Sequence, residues 1–141
     1  MSSVYEKSTY KNFEIIIVEN NSTEDKTFEY YKSIQNKYEN LKVITWDKGF
    51  NYSAINNFAV KQAKGEYVLL LNNDIEVITP DWLEQMLMFA QRKDVGAGGA
   101  KLYYPDDTIQ HAGVIVGLGG VAGHSHKYFD RTDPGYRREP Q

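Results

Sequence analysis

Three short polar clusters carry the residue types that could do chemistry: Glu19-Asn20-Asn21-Ser22, Asp47-Lys48-Gly49-Phe50-Asn51, and Asn72-Asn73-Asp74. A carboxylate such as Asp74 can ligate a hard divalent cation, which takes oxygen ligands and bridges phosphates. Asn72, two residues earlier, can hydrogen-bond a sugar hydroxyl or a water on that cation, and Asn73 lies between the two. Lys48 beside Gly49 can approach a phosphate. Glu19 and Asn20 can read the edge of a base, and Asn56 can face a cleft from a helix. Each has a plainer reading beside it. Asn-Asn-Asp forms turns by itself, Ser22 caps a helix, Lys48 is a solvated loop charge, and Asn56 is a surface amide.

The surrounding pattern says how these clusters are positioned. Phe13 to Val18 is apolar and rich in β-branched residues, so it reads as a strand. Ser22, with an acid three residues on, starts a helix from about Glu24 to Lys37 whose inward stripe is Phe28, Tyr31, Ile34 and Tyr38. Leu41 to Thr45 is a second strand. A second helix covers about Tyr52 to Lys64 and stops at Gly65. Glu66 to Leu71 reads as a third strand, buried on both faces. Thr79-Pro80-Asp81 opens a third helix with apolar pairs Trp82/Met86 and Leu83/Leu87. Val4 to Tyr10 reads as the end of a helix leading into the first strand. Strands about 25 residues apart with helices between them predict a parallel α/β sheet with right-handed crossovers. Ligands bind such sheets at the strands' carboxyl ends, where the first and last clusters lie.

Beyond the third helix the signals weaken. Val95 to Tyr103 is a strand loosened by glycines, Pro105-Asp106-Asp107 a turn, and Ile109 to Val116 another strand containing His111. Gly117 to Ala122 fits G-x-G-x-x-A, but a dinucleotide fingerprint must open a helix inside a βαβ unit, and here His124, Ser125, His126 and a polar tail from Asp130 to Gln141 follow. The three histidines could supply a metal ligand, but with no cysteine and no zinc-type spacing the reading preferred is ordinary polar loop residues; His124 and His126 would share one face of an extended segment. The chain has 141 residues, a net charge of −3 and no cysteine. No basic excess points to nucleic acid. Cysteine usage fits a reducing compartment. No apolar run is long enough to span a bilayer.

Taken in order, "FEIIIVENNSTED", "DKGFNYSAINNFAVKQAKGEYVLLLNNDIEV" and "TPDWLEQML" resemble the family 2 glycosyltransferases of the GT-A fold. The matching parts are Glu19 to Ser22, the Asp47-Lys48-Gly49-Phe50 loop, Ala54-Ile55-Asn56 on a helix, and Gly65 to Asp74 running into a D-x-D-like motif. The stretch "GAKLYYPDDTIQHAGVIVG" resembles the bacterial surface-polysaccharide branch. The resemblance implies a Rossmann-like GT-A nucleotide-sugar-binding sheet flanked by helices and incomplete at both ends. Residues 1–141 would be one partial domain, with a nucleotide-sugar-binding core at about 10–90 and a loop-rich extension at 91–141.

It also implies roles. Asp74 matches the last acid of D-x-D and would bind Mn²⁺ or Mg²⁺ on the diphosphate. Asn72 replaces the first acid and would face the ribose or the metal's water shell. Glu19 or Asn20 would read the base, and Lys48 and Asn56 would line the diphosphate. The partners would be a nucleotide-diphospho-sugar donor and a glycan or lipid-linked acceptor, for inverting transfer. The setting would be cytoplasmic, peripheral at the inner face of the membrane in a full-length protein. A first strand would precede Met1, and an acceptor half with the general base would follow Gln141. Neither Asp130 nor Asp133 sits in the family's base motif, so no catalytic base is assigned and the chain alone is expected to transfer no sugar. The open edge of the first strand would favour a homodimer. The alternative is a non-catalytic nucleotide-binding or protein-interaction fragment.

Overall fold

Apolar β-branched residues in Ile15–Glu19 (β1) and Leu41–Thr45 (β2) pair side by side, as their composition predicts. The computed structural model describes residues 1–116 and 121–133. The chain divides into two compact units, Met1–Glu84 and Gln85–Gln141.

In the first unit β1 and β2 are parallel and in register from Ile15 opposite Leu41 to Glu19 opposite Thr45. Helix α2 (Asp25–Lys37) is the crossover between them. Of its apolar stripe only Ile34 is buried; Phe28 stays exposed at the far end. Ile34 and Leu41 join Val4 and Val77 as the buried aliphatic residues of this unit. Full burial of each contributes about 1.5–3 kcal/mol. Helix α3 (Tyr52–Val60) follows β2, its N-cap Asn51 accepting from the Ala54 N–H at 3.0 Å.

The N-terminal segment forms α1 (Ser2–Lys7). It is stitched to residues about 70 positions later. The Ser3 hydroxyl accepts from the Val77 N–H at 3.3 Å, Lys7 pairs with Glu76 at 2.6 Å, and the Trp82 indole donates to Ser8 Oγ at 2.8 Å. Thr9 bonds both the Pro80 carbonyl and Glu84. Tyr5 of α1 stacks on Tyr38 with centroids 3.6 Å apart. Burial, and then the neighbouring Tyr38, push the Tyr5 phenol up to about 12.

Several expectations need correction. Helix α2 starts at Asp25 with Glu24 as N-cap and no side-chain cap bond, not at a Ser22 capping box. The Ser22 N–H donates to Glu19 at 2.6 Å and Asn21 takes φ +58°, so the chain is still turning where the box would have closed. Helix α3 ends at Val60, and a turn carries the chain to Ala63 through bonds from the Gln62 and Ala63 N–H groups. The largest difference is the third strand. Residues 66–71 pair with no strand among the described residues, and Tyr67 to Leu71 are 40–53% exposed. An apolar run states a demand for burial, but a strand exists only when a neighbour supplies the other half of its hydrogen-bond ladder.

Helix α4 (Trp82–Ala90) begins where Thr79-Pro80-Asp81 predicts, with the Trp82 N–H bonded to the Thr79 carbonyl. In the second unit Leu102–Tyr103 (β3) and Ile109–His111 (β4) form an antiparallel hairpin around the 105–107 turn. Asp106 closes that turn by accepting from the N–H and hydroxyl of Thr108. The strand expected over 95–103 is thus reduced to its last two residues. The one expected over 109–116 is broken in two, because Gly113 takes φ +130°. Val114–Val116 (β5) then pairs antiparallel with Ala122–His124 (β6). Ile109 is 1% exposed and anchors this unit, exchanging backbone bonds with Phe129 and Tyr128. Residues 117–120 of the glycine-rich stretch rejected as a dinucleotide fingerprint, and the polar tail from 134 on, lie outside the described residues.

Candidate functional site

Parallel pairing brings the carboxyl ends of β1 and β2 together, and with them the first two polar clusters. Their junction is bonded. The Asn20 amide donates to the Trp46 carbonyl at 3.0 Å and to the Lys48 carbonyl at 2.9 Å. Asn21 adds a longer bond to Lys48 at 3.4 Å. Glu19 is 5% exposed; its carboxylate accepts from the Ser22 N–H, and its carbonyl accepts from the Trp46 N–H at 2.9 Å. Glu19 and Asn20 therefore shape the two loops with the groups that the sequence offered for base reading.

The 46–51 loop is built on Trp46, which sequence reasoning passed over. Its indole N–H donates to the Gly49 carbonyl at 3.1 Å, its ring lies 5.4 Å from that of Phe58, and the Lys48 ammonium sits 5.4 Å from the indole. A tryptophan inside a polar loop was the available signal. Lys48 is exposed, with its backbone pinned by Asn20 and its ammonium over an aromatic face. A lysine so held keeps donors free for an anion. Asn56 is half-buried and turns its amide onto its own helix, donating to the Tyr52 carbonyl at 2.8 Å.

Asn72, Asn73 and Asp74 are all exposed, and a turn falls at 73–74. Among the described residues no three His, Cys, Asp or Glu side chains gather as a metal-holding group. One exposed carboxylate flanked by carboxamides suits a hard cation that keeps its waters and takes its other ligands from a bound phosphate. The structure thus joins Glu19, Asn20 and Lys48 in one bonded cluster. Among the described residues no hydrogen bond links that cluster to Asn72, Asn73 or Asp74.

A comparison with family models matches residues 1–133 to glycosyl transferase family 2. The chain belongs to that family. Among curated relatives it is 50% identical over 136 residues to the uncharacterized protein y4gI of Sinorhizobium fredii, covering 96% of this chain and 15% of that protein. It is 48% identical over 124 residues to the O-antigen biosynthesis protein RfbC of Myxococcus xanthus, covering 88% of this chain and 10% of that protein. A more distant match, 26% identical over 102 residues, is the glycosyltransferase GlyG of Streptococcus pneumoniae, at 72% of this chain and 33% of that one. The chain therefore spans a small part of the length of these relatives. No solved structure matches it significantly.

Membership of glycosyl transferase family 2 bears out the resemblance drawn from the ordered motifs, and with it the α/β class. Among the described residues no helix is long and apolar enough to cross a membrane.

Proposed function

We propose that this chain is the donor-binding portion of an inverting glycosyltransferase. It would take a nucleoside diphospho-sugar, with UDP or dTDP as the leaving group, for transfer to a surface-polysaccharide or lipid-linked acceptor. The observation that carries the reading is the bonded junction at the carboxyl ends of two parallel strands, where Asn20 ties the β1 loop to the loop bearing Lys48. That edge is where open parallel sheets take ligands. The name of the RfbC relative supports the polysaccharide setting.

In this reading Lys48 contributes positive charge to the diphosphate, while Glu19 and Asn20 hold the loops that enclose the nucleotide. Asn56 would line the diphosphate side once its amide leaves the Tyr52 carbonyl. Asp74, with Asn72 and Asn73 beside it, would hold Mn²⁺ or Mg²⁺. When bound, that ion neutralises charge on the departing nucleoside diphosphate. No residue of this chain is assigned as the base that takes the acceptor proton.

Calorimetric titration of the chain with UDP and dTDP, with and without Mn²⁺, tests the reading. Binding that needs Mn²⁺ and is lost in Asp74→Ala supports it. Equal affinity in the wild type and Asp74→Ala removes Asp74 from the site. No binding of either nucleotide favours the second reading, a protein-interaction module, to which the exposed Tyr67–Leu71 run lends weight.

A further inference from the structure

Two histidines far from any zinc-type spacing meet in the second unit. His111 Nδ1 and His124 Nδ1 are 3.1 Å apart, with the rings nearly perpendicular at 86°. Thirteen residues separate them in the chain, and separate ladders hold them. His111 pairs across from Leu102 in the β3–β4 hairpin, and His124 across from Val114 in the β5–β6 hairpin. The link between β4 and β5 is the left-handed Gly113, whose carbonyl accepts from the Ser125 N–H at 3.1 Å and from its hydroxyl at 3.4 Å. Both imidazoles thus sit on paired backbone, so little ordering is needed to use them together.

We propose that His111 and His124 form a two-imidazole site for a borderline divalent transition metal of the Zn²⁺ class, with its other positions open. Imidazole nitrogens lie 2.0–2.1 Å from zinc, so two of them at a tetrahedral angle are about 3.3–3.4 Å apart. The observed separation is within a few tenths of an ångström of that value. In the metal-free pair one Nδ1–H donates to the other Nδ1. Loading moves that proton to the Nε2 of the same ring, so a neutral pair binds with no net proton release. A cavity of about 270 Å³ lined by Gly99, Ala100, Lys101, His111, Ala112 and Gly113 opens beside His111 and leaves room for water or an oxygen ligand. Among the described residues no group of three His, Cys, Asp or Glu side chains gathers here, so the pair supplies two ligands and water would fill the other positions. Lys101 is the cation lining the cavity; its ammonium donates to the Arg131 carbonyl at 3.2 Å and lies over the Tyr103 ring. Hard cations such as Mg²⁺ prefer oxygen ligands and do not compete here.

The test is calorimetric titration of the untagged 141-residue chain with Zn²⁺ at pH 7.5, alongside proton NMR of the imidazole rings. One saturable site is expected, with the His111 and His124 ring signals shifting together and excess Mg²⁺ leaving the curve unchanged. His111→Ala and His124→Ala should each weaken binding by about tenfold or more, because a single imidazole remains. His126→Ala should not. Should a variant lose its far-UV circular dichroism, the wild-type ring shifts still decide the matter. No saturable binding, ring shifts confined to His126, or equal affinity in His111→Ala would overturn the proposal.

Discussion

Replacing Asn20 tests whether its amide is the tie between the β1 and β2 loops. In the structure one Nδ2 serves two carbonyls, Trp46 at 3.0 Å and Lys48 at 2.9 Å. Each bond contributes about 0.5–1.5 kcal/mol net. The Lys48 carbonyl lies in an exposed loop and can take water instead, so Asn20→Ala should lower stability by about 1–2 kcal/mol in total. For a chain of this size that is a fall in Tm of about 3–8 °C. Asn20→Asp is the sharper test. It conserves size but turns a donor into a carboxylate that only accepts, facing two carbonyl oxygens at bonding distance. It should be worse than Ala by about another 1 kcal/mol. Repulsion raises that carboxyl's affinity for a proton in the folded state above its unfolded value near 3.9. The folded state then binds more protons, so the deficit grows as pH rises through the carboxylate range and shrinks in acid. Thermal melts of the three proteins at pH 4 and pH 7 give the answer. An Asp variant as stable as Ala at pH 7, or a gap that does not narrow at pH 4, would refute the donor geometry.

Two further outcomes follow from other parts of the fold. The Tyr5 phenol, pushed up to about 12 by burial and by Tyr38, ionises later in the folded than in the unfolded chain. Stability from this group is therefore complete below pH 10 and declines as pH rises toward 12; ultraviolet titration should show one late phenol that disappears in Tyr5→Phe. Gly113→Ala places a side chain at φ +130°, where its Cβ would also meet Ser125 Oγ at 3.4 Å, and should destabilise the second unit by about 1–3 kcal/mol in chemical denaturation. An unchanged midpoint would mean the β4–β5 link tolerates another conformation.

Local composition determined much of this protein. Runs of isoleucine and valine make β1 and β2, and the residues between them make the crossover helix, because a strand or helix expresses a periodicity that a few consecutive residues carry by themselves. Asn51 and the Thr79-Pro80 pair mark helix starts for the same short-range reason. The ordered polar motifs were enough to indicate family 2 membership. What the tertiary structure decided involves partners that sequence spacing does not reveal. Tyr67 to Leu71 is as apolar as β1, yet it has no ladder among the described residues, since pairing is a property of two segments. Asn20 offered donors for a base, but the parallel register of β1 on β2 delivers two carbonyls to its amide. The bonds from Ser3, Lys7 and Ser8 to residues 76–82 span about 70 positions. His111 and His124 looked like loop residues until two hairpins and one left-handed glycine placed their nitrogens 3.1 Å apart. Periodicity encodes which face of an element is apolar; which polar groups then meet depends on register and turn geometry, where a shift of one residue moves every side chain to the other face.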